Sequence, residues 1–181
     1  MQLTIHSIDT APADSRPVLE GIAADVGLVP NLAAAAAGSP ALLAGFDGLR
    51  RAVATTKLDP VLREVTGLTV GVAVDNRYGV AFHSTMLAGL GVDEADIAAI
   101  RDGRPPSEPV AAAVHSLANE AVLDRGKVAA ATEQAVLDAG LSTEDVLEVL
   151  LEVAFAGLVG LIDNLAGHVE LDGFLSARRW P

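Results

Sequence analysis

Helix punctuation recurs along this chain at intervals that leave little room for strands. Asp59-Pro60, Asp93, Ser107 and Ser142 each place an oxygen-bearing side chain just before apolar residues spaced three and four apart. Such side chains accept hydrogen bonds from the unpaired amides of a first turn, and Pro60 is pre-set for a first helical position. Gly27, Gly91 and Gly140 stand where such runs stop, and Gly103-Arg104-Pro105-Pro106 makes another break. No segment alternates apolar and polar residues for long enough to form a half-buried strand. The pattern predicts an all-α fold, a compact multi-helix bundle of about eight helices. It reads as a single domain over residues 1–181, with an irregular arm at 1–12 and a C-terminal tail at 169–181.

Taken in order, a first helix is expected over Ala13 to Val26. Asn31 is a candidate cap for the five alanines that follow Leu32, and a further helix runs from Pro40 to Thr55. The Asp59-Pro60 helix should turn Leu62, Val65, Leu68 and Val72 inward, and Tyr78 to Leu90 forms the next. Later helices are expected over Ser107 to Leu123 and Lys127 to Ala139. Ser142 and Asp145 suggest a capping box for a long last helix reaching Ala166. Between Val146 and Ile162 that helix is apolar on most faces, broken only by Glu148 and Glu152. Such a segment is buried on several sides, in the core or against another subunit.

Composition narrows the partners. The chain is 51% hydrophobic but only 3% aromatic, so its core is built from Ala, Val, Leu and Ile on closely spaced helices. A net charge of −12 repels phosphate backbones and anionic headgroups, which argues against nucleic acid and against membrane surfaces. The longest strongly apolar uncharged run, Val153 to Ile162, is about half of a membrane span, and the N-terminal residues do not read as a signal peptide. A cytoplasmic protein is expected. With no cysteine there is no disulfide or thiolate chemistry, and no histidine has a second one at helical ligand spacing. Neither a metal nor a cofactor is expected, so any chemistry falls to carboxylates, His, Tyr or hydroxyls.

One stretch carries more. Residues 58 to 104, LDPVLREVTGLTVGVAVDNRYGVAFHSTMLAGLGVDEADIAAIRDGR, resemble the core of the carboxymuconolactone decarboxylase and alkylhydroperoxidase D family. That core has a Glu near a helix start, a Cys-x-Tyr/His-Cys-x-x-x-His run about twelve residues on, an Ala/Gly pair and an acidic helix start. The segments GLVPNLAAAAAGSPALL and NLAGHVELD resemble its flanks. Position by position, the family's Glu falls on Glu64, its cysteines on Asn76 and Gly79, the polar residue between them on Tyr78, and its His on His83. The resemblance therefore implies a member lacking both redox cysteines, in which the family's thiol peroxidase mechanism cannot run. It also implies a homo-oligomer, a trimer or a hexamer built from trimers.

Each of these residues has a plain reading beside the functional one. Glu64 is a carboxylate in the early turns of a helix, where the macrodipole or an arginine such as Arg63 or Arg50 would hold it. His83 shares the mostly apolar stripe of Tyr78, Met86 and Leu90, where a lone His is commonly a satisfied core residue. Read functionally, Glu64 and His83 form a catalytic base and acid, and Asn76 and Tyr78 bind substrate oxygen. Counted from the Asp75-Asn76 turn, antiparallel packing of the two helices leaves Glu64 and His83 about one helical turn apart in height, a gap that long side chains and a tilted crossing can close. The chain is then a cofactor-independent acid–base enzyme, a decarboxylase, lyase or isomerase acting on a small carbonyl or carboxylate compound. The alternative is a non-catalytic small-molecule-binding or scaffold member of the family.

Overall fold

The computed structural model describes residues 1–181, and no strand occurs in it. Nine α-helices follow one another: α1 Arg16–Val26, α2 Asn31–Ala36, α3 Pro40–Ala54, α4 Pro60–Ala73, α5 Arg77–Gly89, α6 Glu94–Arg101, α7 Pro109–Leu123, α8 Ala130–Asp138 and α9 Thr143–Ala166. Short 3-10 segments at Ala13–Ser15 and Gly173–Arg178 flank them. No helix is long and apolar enough to cross a membrane.

Two apolar clusters fill the interior. One gathers α1, α2 and α3 around Leu19, Ile22, Leu32, Leu43 and Phe46, and the other gathers α4, α6 and α7 around Val65, Leu68, Ile97, Ile100 and Val114. Helices α5 and α9 belong to both. Tyr78, Ala81, Val159 and Ile162 face the first cluster, while Val80, Leu87, Val149 and Ala156 face the second. A helix wedged between two cores must be apolar on most sides, which accounts for the composition of Val146 to Ile162. Glu148 breaks that composition to accept from the amides of Lys57 (2.9 Å) and Leu58 (2.7 Å), fastening the loop before α4. One stripe of α9 nevertheless stays uncovered, with Leu147, Leu150, Leu161 and Leu165 exposed.

Several starts form as the sequence predicts. Asp59 accepts from Val61 N at 2.8 Å, Asp93 from Ala95 N at 2.7 Å, and Ser142 and Asp145 complete both halves of a capping box. Others shift. Pro30, not Asn31, stands at the cap of α2, because the Asn31 side chain turns away to donate to Glu170 O at 3.0 Å. Glu108 caps α7 in place of Ser107, whose hydroxyl donates to Asp96 at 2.9 Å. Helix α8 begins at Ala130, later than Lys127, because Arg125 and Gly126 both take positive φ and redirect the chain.

The tail does not fray. Leu175 is fully buried, Arg178 pairs with Glu94, and Arg101 donates to Ser84 Oγ and to the carbonyls of Arg178 and Arg179. It is strapped across α5 and α6 of its own chain. Part of the strap is held through backbone carbonyls, which carry no residue signature in the sequence.

Candidate functional site

Helices α4 and α5 lie side by side across the Asp75-Asn76 connection, and the closeness of their approach rests on glycine. A methyl group at Gly67 would overlap the His83 imidazole, and one at Gly71 would meet Val80 at 3.2 Å. With no side chain at Gly67, the ring lies against the α4 backbone and Nδ1 comes within 2.7 Å of Glu64 Oε2. The expected pairing of Glu64 with His83 is thus present as a direct hydrogen bond. Arg63 approaches Glu64 Oε1 at 3.4 Å, whereas Arg50 is engaged elsewhere with Asp25 (2.6 Å) and Asp47 (2.7 Å).

A third group completes the cluster. Glu152 of α9 is buried, places Oε1 4.0 Å from His83 Nε2, and leaves Oε2 without a hydrogen-bond partner. The imidazole therefore has a carboxyl group on each side. For Glu64, burial raises the pKa but the His83 hydrogen bond and charge outweigh it, and the carboxyl ends below its ordinary 4.5. For His83, burial disfavours the imidazolium, yet the Glu64 hydrogen bond and both carboxylate charges carry its pKa above 6.5. Glu152 has no donor of its own, so burial dominates and pushes it to about 7. The sequence had marked Glu152 only as a break in an apolar helix. A carboxylate surrounded by Val149, Val153 and Ala156 on such a helix was the available signal.

His83 also lines a cavity of about 530 Å³. Its wall carries Phe46, Phe82, Phe155, Phe174, Met86 and Ile22, with Tyr78, Gly79 and Arg50 among the rest. Glu64 is not in this wall; it stands behind the imidazole. Asn76 is not in the wall either: it caps α5, accepting from Gly79 N at 2.8 Å through Oδ1, while its buried Nδ2 has no partner. Tyr78 does reach the cavity, but its hydroxyl donates to Asp172, and burial together with that carboxylate raises its pKa so that it stays un-ionised. The two positions that correspond to the family's cysteines fit one another, since a methyl group at Gly79 would overlap the Asn76 amide.

Chemically, the arrangement places a buried imidazole in the wall of an apolar cavity, with Nδ1 bonded to one carboxylate and Nε2 4.0 Å from a second carboxyl group. Such a set of groups can hold and move a proton, and it sits on an all-helical, cysteine-free frame of the alkylhydroperoxidase D type. The model for the carboxymuconolactone decarboxylase family matches residues 40–120, the segment that holds both Glu64 and His83. A search of the curated proteins finds no match.

Solved structures share the fold at low identity. An uncharacterized peroxidase-related protein from Ralstonia eutropha JMP134, with an alkylhydroperoxidase AhpD core, superposes with a TM-score of 0.83 at 21% identity, covering 99% of this chain and 97% of that one. A substituted form of the debrominase Bmp8, in complex with 2,3,4-tribromopyrrole, gives 0.79 at 16% identity, with 98% and 95% covered. A peroxidase-related protein from Silicibacter sp. TM1040 gives 0.74 at 14% identity, with 96% and 91% covered.

Proposed function

We propose that the protein is a cofactor-independent acid–base enzyme that moves a proton at carbon next to a carbonyl group, as an isomerase, lyase or decarboxylase does. The observation that carries this reading is the hydrogen bond that His83 Nδ1 donates to Glu64, which fixes the tautomer and leaves Nε2 as the proton-transfer atom of a residue that lines the cavity. Neutral His83 takes the proton from substrate carbon at Nε2, the electron pair moves onto the carbonyl oxygen, and the imidazolium is stabilised by Glu64. The same proton then returns from Nε2 to oxygen or to another carbon, so atoms and charge balance without a co-reactant. For a decarboxylation, His83 delivers the proton after carbon dioxide leaves. Glu64 is a positioning residue in this scheme, because it does not reach the cavity wall.

Support also comes from what is missing. A chain without cysteine has no thiolate to attack a peroxide, so the peroxidase chemistry of related folds does not transfer. A second reading, a binding protein without catalysis, is favoured by the buried hydrogen bond that satisfies both Glu64 and His83 by themselves.

Exchange of carbon-bound hydrogen separates the two. Small ketones are incubated with the protein in D2O and deuterium uptake beside the carbonyl is followed by NMR. The enzyme reading expects uptake above the buffer rate, falling roughly 10²- to 10⁴-fold in His83→Ala. Exchange that is absent for every ketone that binds, or that survives His83→Ala unchanged, leaves the binding reading in its place.

A further inference from the structure

This chain is poor in aromatic residues, yet it spends nearly all of them on one surface. It has four Phe, one Tyr and one Trp in 181 residues. All four phenylalanines, Phe46, Phe82, Phe155 and Phe174, line the cavity, and so does Tyr78; only Trp180 stands elsewhere. They come from α3, α5, α9 and the 3-10 tail, so no local sequence constraint gathers them. The rest of the interior is packed with aliphatic side chains and alanine, which shows that the fold does not need rings to fill its cores. A concentration of rings around an open volume is what a flat π-face selects, through offset and edge-to-face stacking.

The polar groups in the wall are few, and most are already committed. Arg50 is held by Asp25 and Asp47, the second of which accepts from Nε at 2.9 Å and from Nη2 at 2.7 Å, so its charge is matched before a ligand arrives. The Tyr78 hydroxyl is taken by Asp172. His83 keeps Nε2 uncommitted, with Glu152 Oε1 4.0 Å from it. An anion entering this wall would find no unpaired cation and would meet two buried carboxyl groups behind the imidazole. A volume of about 530 Å³ falls within the range of small-molecule sites.

From these observations we infer that the cavity takes an uncharged, planar aromatic molecule, stacked among the four phenylalanines beside His83. This deepens the proposed function and rests on its placing of His83 at the reacting atom. It narrows the substrate from carbonyl or carboxylate compounds to neutral aromatic carbonyl compounds.

Four probes of similar size test it by calorimetric titration of the full chain at pH 8: 2-acetylnaphthalene, 2-naphthoate, 2-ethylnaphthalene and 2-dodecanone. The ketone 2-acetylnaphthalene is expected to bind at least tenfold more tightly than the anion 2-naphthoate or the flexible 2-dodecanone. The hydrocarbon 2-ethylnaphthalene should bind nearly as tightly as the ketone, since stacking carries the affinity. Preferred binding of 2-naphthoate overturns the exclusion of charge, equal or tighter binding of 2-dodecanone overturns the aromatic assignment, and no binding of any probe overturns the inference as a whole. The methyl protons of 2-acetylnaphthalene also report deuterium exchange. Tight binding without exchange removes the acid–base reading alone, while exchange without the aromatic preference removes this inference alone.

Discussion

Replacing Glu152 by Gln should make the protein's stability less sensitive to alkaline pH. The folded state holds the Glu152 proton to about pH 7, whereas an exposed glutamate releases it near 4.5. Between those values the unfolded chain binds fewer protons than the folded one, so unfolding becomes easier as pH rises. At about 1.4 kcal/mol per pH unit the gap is worth about 3 kcal/mol, most of which falls between pH 5 and 8.5. Glutamine has nearly the same shape and no charge, so the variant escapes this loss. The partner groups bear in known directions. Glu64, lowered by His83, gives stability that is present above pH 4.5 and lost as pH falls through its folded pKa. His83, raised by both carboxylates, gives stability that is full below pH 6.5 and lost as pH rises through its folded pKa. Both contributions remain in the variant, although the Glu152 share of the His83 effect disappears. Urea unfolding at the two pH values, on the parent, Glu152→Gln and an exposed control, Glu170→Gln, measures the difference. Glu152→Gln should gain about 2–3 kcal/mol on the parent between pH 5 and 8.5, equivalent to roughly 5–10 °C in melting temperature. A gain no larger than that of the control would refute the assignment of a neutral buried carboxyl group.

Other tests address the frame. Gly67→Ala forces the imidazole off α4, so it should destabilise the fold by about 1–3 kcal/mol and weaken any His83-dependent exchange more than His83-independent ligand binding. Gly79→Cys alone should cost stability because its Cβ overlaps the Asn76 amide, and Asn76→Cys/Gly79→Cys should cost less than the sum of the single changes; strict additivity in a double-mutant cycle would contradict that steric pairing. The exposed stripe of α9 should be covered by other copies of the chain, with light scattering giving a trimer or hexamer mass and Leu161→Glu shifting it down; a monomer at micromolar concentration would count against this. The protein should not turn over organic hydroperoxide with a dithiol reductant, and turnover above a boiled control would require a route with no cysteine.

Helix boundaries were legible where a short side chain caps its own helix, as at Asp59, Asp93 and Ser142, because the signal and its partner are neighbours in sequence. They drifted where the side chain had a distant alternative, as Asn31 has in Glu170. Glu64 and His83 were legible as a pair because their helices are joined by a short turn, so residue counting fixes their relative height. Asn76 was legible as a special position but not as a cap, since a family pattern marks the place of a thiol without saying what its replacement does. Glu152 reaches His83 from a helix far along the chain, and Phe46, Phe155 and Phe174 converge from three separate elements. Nothing in their local sequence encodes that convergence, which only tertiary packing supplies.

The position of Phe174 has one more consequence. The segment that matches the family holds Glu64, Gly67 and His83, but Ile22, Phe155 and Phe174 come from outside it, and Phe174 sits on a strap held by Arg101 through main-chain oxygens. Contacts to main-chain oxygen tolerate many side chains along the strap. Substitutions there can reshape the cavity wall while the Glu64–His83 pair and Gly67 stay as they are. In the proposed function, the groups that shape the cavity and the groups that move the proton thereby lie on separately variable parts of the chain.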